Sequence, residues 1–521
     1  MASQPQSVVV IGAGMGGLAA AIRLAAAGCA VTLVEAAATP GGKMRTLPSA
    51  AGPVDAGPTV LTLRRVFDDL FALAGERLED HLTLLPQATL ARHWWADGSR
   101  LDLTGDADID ARAIAAFAGD REAAAFHRFD RLARGLHEAF DAPVMQANRP
   151  RLGAIVKAAL ARPAIWPALV PGLSLAGLLR RQFRDMRLVQ LFARYATYVG
   201  GRPTHAPGVL ALIWRAEAEG VWAVEGGMHR LALALADLAR RLGVDLRLST
   251  PARRIVRQGG RVTGVQVQDG TTLPCAACVF AGDPAALAAG HLGEGLGSVV
   301  PVRATSPRSL SAWVWSFAAT AEGSLARDLI HHNVMFSSDP KAEFGPLGKG
   351  EMPDLPTLYI CAEDRAAGQL PTGPERFEII VNAPPGRPDQ PEDFTRCHAR
   401  TFQRLRQMGL RFTPEPGPEA LTTPAMLDRM FPGSAGSIYG RSPEGTFAAF
   451  ARPPARTGLP GLYLAGGGAH PGAGVPMAAL SGKHAAAAVL AGLTSRSMWR
   501  PTGMHGGIST GSQTTARAPS R

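Results

Sequence analysis

Residues 7–36 read SVVVIGAGMGGLAAAIRLAAAGCAVTLVEA, and this stretch decides the fold. Four β-prone residues, Val8 to Ile11, lead into a glycine-rich turn. An alanine-rich stretch that favours a helix follows as far as Ala27, and a second β-prone run ends at Glu35. Strand, glycine turn, helix and strand in this order form the βαβ unit that binds dinucleotides, so we predict a parallel sheet with a dinucleotide on its glycine turn.

Each glycine of this turn has its own task. Gly12 permits the tight turn, Gly14 lets the backbone approach a pyrophosphate, and Gly17 lets the helix pack on the strand. The first residues of the helix, Met15 among them, supply amide donors and a partial positive charge. Glu35 stands where a carboxylate reaches the ribose hydroxyls, which disfavours the 2′-phosphate of NADP but does not separate NAD from FAD.

Two further glycine segments favour FAD. PGGKMR at residues 40–45 offers Gly42 and Lys43 as a second phosphate-facing turn, which suits the longer, bent path of FAD. AGGGAHPGAGVP at residues 465–476 holds five glycines and leads into an alanine-rich helix. Fixing glycine is entropically expensive, so we expect this loop to meet the flavin ring and ribityl chain with bare backbone. His470 in the loop is expected to be structural or solvated rather than a catalytic base.

Length and composition predict a globular protein of two or three domains, with 521 residues of which 46% are hydrophobic. Five cysteines are few and odd in number, so we expect a reducing compartment, and the CxxC from Cys275 to Cys278 has no second pair to complete a metal site. The first residues, MASQPQS, carry no basic group, so the apolar run after them is not expected to be an export signal. Since no stretch has 18 uninterrupted apolar residues, we expect a cytoplasmic protein without a transmembrane helix.

The net charge of +11 is concentrated in two places. Residues 149–194 hold nine basic residues and one acidic residue, and residues 494–521 hold four basic residues and no acidic one. Because the excess is local, it argues against a nucleic-acid partner.

The pattern along the chain divides it into six segments. Residues 76–200 look mostly helical and alanine-rich, whereas residues 300–450 look mixed, with strands near Leu358–Cys361 and Phe377–Asn382 that predict a second sheet. The segments are an FAD-binding domain in three parts (1–75, 221–290 and 456–493), a helical, substrate- and membrane-facing region (76–220), a substrate domain (291–455) and a disordered basic tail (494–521).

Five motifs together resemble the carotenoid desaturase family of FAD enzymes, within the wider group of amine-oxidase-like flavoproteins. They are VVVIGAGMGGLAAAIRLAAAG, PGGK, VDAGPTVLT, EGGMHRLALAL and AGGGAHPGAGVPMAALSGK. The resemblance covers the chain to about residue 493. It implies an α/β fold, with a Rossmann-type FAD-binding domain, an inserted mixed-sheet substrate domain and a helical membrane-facing subdomain.

The resemblance also implies contacts for individual residues. The residues that it places along FAD, beyond those derived above, are Thr59 and Val60 near the flavin, Ala252 beside the adenine, and Gly467, Val475, Pro476 and Met477 along the ribityl chain and ring. His331 and His332, in the family-like HHNV stretch, are expected in the core. No catalytic base is assigned, and the final electron acceptor stays open.

GPVDAGPTVLTLRRVFDDLFALAG and HHNVMFSSDP resemble the hydroxycarotenoid 3,4-desaturases more than the phytoene desaturases, which more often have an aromatic residue at the position of Val54. The implied reaction introduces a C-3,4 double bond into 1-hydroxy or 1-methoxy acyclic carotenoids by hydride transfer to flavin N5 and proton loss. Phytoene desaturase, flavin amine oxidase and a non-catalytic prenyl-lipid escort protein are the alternatives.

A water-insoluble substrate implies peripheral docking on the inner membrane. Residues 164–192 supply Trp166 and aliphatic residues, with Arg180, Arg184 and Arg187 at helical spacing, and therefore predict an interfacial anchor.

Overall fold

The computed structural model describes residues 5–446 and 448–498. Its strands in chain order are β1 Ser7–Ile11, β2 Ala30–Val34, β3 Thr46–Leu47, β4 Val54–Asp55, β5 Leu84–Pro86, β6 Ala91–Trp94, β7 Arg100–Leu103, β8 Trp222–Val224, β9 Asp245–Arg247, β10 Ala252–Gln258, β11 Arg261–Val267, β12 Thr272–Pro274, β13 Ala277–Phe280, β14 Ser311–Glu322, β15 His332–Met335, β16 Leu358–Ala362, β17 Glu375–Ala383, β18 Arg411–Thr413, β19 Leu421–Thr422 and β20 Leu462–Leu464.

The α-helices of the described residues lie between these strands. In chain order they are α1 Met15–Ala26, α2 Arg65–Ala72, α3 Ala107–Ala118, α4 Asp120–Phe140, α5 Leu152–Leu160, α6 Leu175–Gln182, α7 Met186–Ala193, α8 Leu212–Ala218, α9 His229–Arg241, α10 Pro284–Ala288, α11 Pro340–Gly348, α12 Asp393–His398, α13 Arg404–Gln407, α14 Pro424–Met430 and α15 Val475–Met498.

A five-stranded parallel sheet in the order β20-β13-β1-β2-β9 forms the first layer. Its strands are short apolar runs, and α1, α9 and α15 bury their alanine- and leucine-rich faces in one core with them. Parallel neighbours need crossover connections, which explains why the sheet collects strands from the start, the middle and the end of the described chain. A three-stranded antiparallel sheet, β10-β11-β12, lies between β9 and β13 in the chain, and its two turns contain Gly259, Gly260 and Gly270.

The second large sheet has eight strands. Its order is β18-β14-β17-β16-β15-β6-β7, with β19 paired to β14, and β15 and β6 run parallel while its other pairs are antiparallel. One face buries Trp315, Phe317 and Phe377 in its own core. The other face meets the helices between residues 107 and 218, whose core is built around Phe129, Phe192 and other aromatic residues.

The region 76–200 is mostly helical, as the sequence predicts. The pattern missed β6 and β7, which add an edge to the second sheet, because a four-residue strand gives little local signal and its pairing with β15 is long-range. The expectation of one basic helix through Arg180, Arg184 and Arg187 is wrong. The helix ends at Gln182, and Asp185 starts the next one by accepting a hydrogen bond from the amide of Arg187 at 2.8 Å.

The end of the described chain also differs from the expectation. The last helix, α15, continues to Met498, past the boundary predicted at residue 493. The remainder of the predicted basic tail, residues 499–521, lies outside the described residues. Among the helices of the described part, none combines the length and the apolar character needed to cross a bilayer.

Candidate active site

The first glycine turn joins β1 to α1 at the carboxyl edge of the parallel sheet. Gly12 has φ +102°, which a residue with a side chain rarely adopts. A Cβ on Gly17 would lie 1.9 Å from the carbonyl oxygen of Gly12, so only glycine lets the helix approach the strand this closely. Gly14 faces the second glycine turn, since a Cβ on Gly42 would lie 3.1 Å from the Cα of Gly14. Two bare backbones therefore lie side by side where a pyrophosphate is expected.

Glu35 and Ala252 come together at the same edge. The carboxylate of Glu35 accepts hydrogen bonds from the amides of Ala13 at 2.6 Å and Ala37 at 2.9 Å. Its carbonyl accepts from the amide of Thr250 at 2.7 Å, two residues before Ala252 begins β10. The two residues expected around an adenosine are thus held at one end of the turn.

The late glycine loop packs against the first turn through backbone alone. A Cβ on Gly16 would lie 2.4 Å from the amide nitrogen of Gly466, and a Cβ on Gly482 would lie 2.5 Å from the carbonyl oxygen of Gly16. In contrast, a Cβ on Gly467 or Gly474 would meet no atom within 4 Å. The loop thus leaves open space in front of its glycines, just before α15 begins with Val475, Pro476 and Met477. This bare, open backbone fits an extended dinucleotide such as a flavin cofactor.

Lys43 does not face solvent. Its Nζ donates to the carbonyls of Ile438 at 2.8 Å and Ser437 at 3.2 Å, and burial lowers the pKa of Lys43 to about 8. Arg452 links the residue after these two carbonyls to the late glycine loop. Its Nη1 donates to the carbonyls of Tyr439 and Gly467, both at 2.7 Å. Burial lowers the pKa of Arg452 to about 10.

The VDAGP and EGGM motifs fit together through Asp55. Its carboxylate accepts hydrogen bonds from the amides of Met228 at 2.5 Å and His229 at 3.3 Å, which caps α9. Gly226 and Gly227 have φ of +80° and +96°, and a Cβ on Gly227 would lie 2.9 Å from an Asp55 oxygen. The two glycines therefore let a buried carboxylate reach the start of the helix.

A buried acidic cluster surrounds Asp55. The amide of Asp55 donates to Oε1 of Glu363 at 2.7 Å, and burial, with Asp55 nearby, raises the pKa of Glu363 to about 8. Burial also raises the pKa of Glu378 well above its ordinary value, with Asp55 and Glu363 adding to the shift and Arg45 opposing it. Burial raises the pKa of Asp55 as well. Burial thus shifts Glu363 and Glu378 toward their neutral forms, whereas the two helix amides on Asp55 oppose its shift.

Thr59 lies beside the second sheet rather than in open space. Its hydroxyl is 2.6 Å from the hydroxyl of Tyr359, which is 2.6 Å from Nδ1 of His332. Val60 is half-buried against the helical core. His331 is buried beside His332, with ring centroids 4.3 Å apart, and its Nδ1 lies 3.0 Å from the carbonyl oxygen of Ala362.

His470 occupies a structural position. Its Nε2 lies 2.9 Å from the carbonyl oxygen of Ala147, and its ring stacks on His484 at 5.6 Å. Burial lowers the pKa of His470, which favours the neutral imidazole. The CxxC thiols are buried and free, and burial raises the pKa of Cys275 to about 11.

A cavity of about 800 Å³ lies between the helical region and the second sheet. Its lining includes the apolar residues Trp95, Val189 and Phe336. Arg180 and Met186 also line it and are exposed to solvent. The second sheet and α7 both contribute to it, so the cavity could not be located from local patterns.

The sequence did not single out Asp55, Glu378, Arg452 and Tyr359 as candidate site residues. Asp55 had a signal, because VDAGPTVLT already marked the segment and an aspartate can cap a helix. Tyr359 and Glu378 had none, since the residues that they face, Thr59 and Arg45, are far away in the chain. Arg452 is 13 residues from Tyr439 and 15 from Gly467, but the irregular loops between them have no repeating pattern.

The comparisons with known proteins agree with this geometry. The profile of the family described as "Flavin containing amine oxidoreductase" matches residues 15–490. The hydroxyneurosporene desaturase of Cereibacter sphaeroides is 66% identical over 490 residues, covering 94% of this chain and 98% of that protein. The hydroxyneurosporene desaturase of Rhodobacter capsulatus is 58% identical over 484 residues, covering 93% of this chain and 97% of that protein.

A solved structure of putrescine oxidase matches with a TM-score of 0.60 and 14% identity, covering 94% of this chain and 99% of that one. At this identity the match shows the fold alone. It agrees with the predicted fold, and the family match supports a flavin as the cofactor.

Proposed function

The chain belongs to the family of flavin containing amine oxidoreductases, and on that premise we propose that it is an FAD-dependent desaturase of 1-hydroxy acyclic carotenoids. The observation that carries the proposal is the 66% identity to a hydroxyneurosporene desaturase over nearly the whole length of both proteins. The reaction forms a C-3,4 double bond, which makes the enzyme an oxidoreductase acting on CH–CH groups.

FAD is the flavin that the site favours. We propose that Glu35 and Ala252 flank its adenosine, and that the amides at Gly14, Met15 and Gly42 face its diphosphate. The late loop, from Gly467 to Met477, would follow the ribityl chain and ring, with Thr59 and Val60 on the substrate side. Lys43 would act through the loop that it holds, since its ammonium already binds two carbonyls.

The chain's own residues prepare the site for this chemistry. No side chain accepts a hydride, so a bound flavin supplies that step. Lys43 and Arg452 place positive charge beside the late glycine loop, which would stabilise negative charge on the cofactor. The cavity beside the second sheet, whose walls include Trp95, Val189 and Phe336, would receive the apolar polyene.

The test is turnover by the purified protein loaded with FAD in lipid vesicles. We expect a 1-hydroxy carotenoid to give a product that absorbs at longer wavelength, because its conjugation is extended, while phytoene is left unchanged. Turnover of phytoene alone would make the protein a phytoene desaturase, and oxidation of amines alone would make it an amine oxidase. A protein that takes up no flavin and turns over neither carotenoid would be an escort protein.

We also propose peripheral attachment to the inner membrane, on a surface formed by α5 and the segment after it. No residue of α5 is buried, and Leu152, Val156 and Leu160 lie four residues apart on one face with 72%, 46% and 63% of their surface exposed. Trp166 extends this surface at 49% exposure, and residues 149–173 contain no acidic residue. An exposed apolar face with basic neighbours is typical of helices that lie in an anionic bilayer surface.

Flotation with anionic vesicles tests this surface. Replacing Leu152, Val156 and Leu160 by Gln should lower the vesicle-bound fraction about tenfold or more, because three apolar side chains no longer leave water. The matched control replaces three apolar residues exposed elsewhere, Val302→Gln, Leu370→Gln and Met430→Gln. Equal binding of the two triple variants would exclude α5 as the contact.

A further inference from the structure

Tyr359 has a hydroxyl with an unusual set of neighbours. It lies 2.6 Å from the Thr59 hydroxyl and 2.6 Å from Nδ1 of His332, at the face of the second sheet that meets the helical core. Tyr359 itself is half-buried. Burial raises the pKa of Tyr359 well above its ordinary value, and the phenol keeps its proton.

The hydrogen bonds around this phenol can be counted. Burial lowers the pKa of His332 well below its usual value, so its imidazole is neutral and carries one N–H. His332 Nε2 is buried and has no hydrogen-bond partner in the structure, which fits a tautomer whose proton is on Nδ1. His332 Nδ1 then donates to the phenol oxygen, and the Thr59 hydroxyl can donate to its second lone pair. In that arrangement the Tyr359 O–H is free to donate to a third group.

The position of Tyr359 suits one part of the substrate. Thr59 follows Gly57, where a Cβ would lie 1.9 Å from the carbonyl oxygen of Lys43, so this segment is in contact with the second glycine turn. In the proposed reaction, the oxygen-bearing carbon C1 is two carbon–carbon bonds from C3, a reacting carbon. When C3 and C4 lie at the flavin, the C1 oxygen must lie nearby.

We propose that the Tyr359 O–H donates a hydrogen bond to the oxygen on C1 of the carotenoid, with Thr59 and His332 orienting the phenol. This subsite rests on the proposed function and gives it a basis for selecting oxygenated substrates. A hydroxyl and a methoxyl oxygen both accept such a bond, whereas the parent hydrocarbon offers the Tyr359 O–H no acceptor. An unpaired buried donor is costly, so a site built for an oxygen substituent discriminates against its absence.

The test compares dissociation constants of carotenoids. They are measured from the quenching of protein fluorescence in the FAD-loaded enzyme. In the wild type we expect the 1-hydroxy carotenoid and its methyl ether to bind within a few-fold of each other, and the parent hydrocarbon to bind at least tenfold more weakly. Tyr359→Phe should bring the hydrocarbon and the alcohol to within about threefold, with the flavin content unchanged. Tyr463→Phe, on β20, is the matched control and should keep the wild-type ratio.

The outcomes separate this subsite from the proposed function. If the wild type neither converts nor prefers the 1-hydroxy carotenoid, the proposed function fails. A wild type that converts the alcohol but binds the methyl ether as weakly as the hydrocarbon would overturn the assignment of Tyr359. In that case the hydroxyl of the substrate, and not Tyr359, donates the hydrogen bond. An unchanged ratio in Tyr359→Phe overturns it too. Should that variant lose its flavin, the wild-type series with three carotenoids still decides.

Discussion

Lys43 and Arg45 are two residues apart, yet they belong to two different buried clusters, one of basic and one of acidic residues. Lys43 lies with Arg308 and Arg452 near a single acid, Asp283, beside the late glycine loop. Arg45 lies near the acidic cluster of the second sheet, where burial raises the carboxyl pKa values. In the proposed function the cofactor side of the site is therefore cationic, and the substrate side holds carboxyl groups whose pKa values burial raises.

This difference follows from what each side binds. A diphosphate and a reduced flavin carry negative charge, which fixed cations stabilise. A carotenoid carries no charge, so the substrate side gains nothing from ions and uses neutral hydrogen-bonding groups. The cofactor side also depends on backbone contacts at glycine, whereas the substrate side depends on side chains from distant strands.

The largest expected effect comes from disrupting the backbone contact of the cofactor side. In Gly16→Ala the new Cβ would lie 2.4 Å from the amide nitrogen of Gly466, and backbone on both sides cannot move away easily. We expect the free energy of unfolding to fall by about 3 kcal/mol or more and bound flavin to be lost. Urea unfolding and the flavin absorbance of the purified protein measure both.

Gly373→Ala is the matched control, because its φ lies outside the left-handed region and a Cβ there would meet no atom within 4 Å. It should keep its flavin and change stability by less than about 1 kcal/mol. Full flavin content in Gly16→Ala would show that the two glycine segments do not need their close contact.

The same contrast explains how much the sequence could predict. The task of Gly17 is set by Gly12 in the same turn, so the βαβ unit and its ligand class could be predicted locally. The first and the late glycine segments could be paired from the sequence because both are rich in glycine, and the structure brings them into contact. The network of Thr59, Tyr359 and His332 could not, since it depends on strand pairing, and the break before Asp185 was hidden by apolar spacing that continues across it.

The second prediction concerns the acidic side. The folded-state pKa of Glu363, about 8, lies above the unfolded value near 4.5, so the folded protein holds more protons between these pH values. Stability must then fall as the pH rises from 4.5 to 8, by roughly 2–4 kcal/mol from this group. Glu363→Gln, which stays neutral, should flatten this fall when urea unfolding is measured at pH 5 and pH 8.

Glu419→Gln, on an exposed carboxylate, controls for the charge change itself. It should follow the wild-type pH dependence. If Glu363→Gln follows it as well, the acidic cluster is ionised in the folded protein and the contrast between the two sides fails.

The smallest effect is expected on the cationic side, with the opposite sign. The folded-state pKa of Lys43, about 8, lies below the unfolded value of 10.5, so the unfolded chain holds more protons between them. Stability of the flavin-free protein should therefore rise from pH 8 to pH 10 by roughly 1–2 kcal/mol from this group.

Lys43→Met should lose that rise, and Lys349→Met, on an exposed lysine, should keep it. Because other titrating groups are common to all three proteins, the difference between the curves isolates Lys43. A rise that survives in Lys43→Met would mean that its ammonium stays fully charged against the two carbonyls, and the cofactor side would then carry that charge without cost.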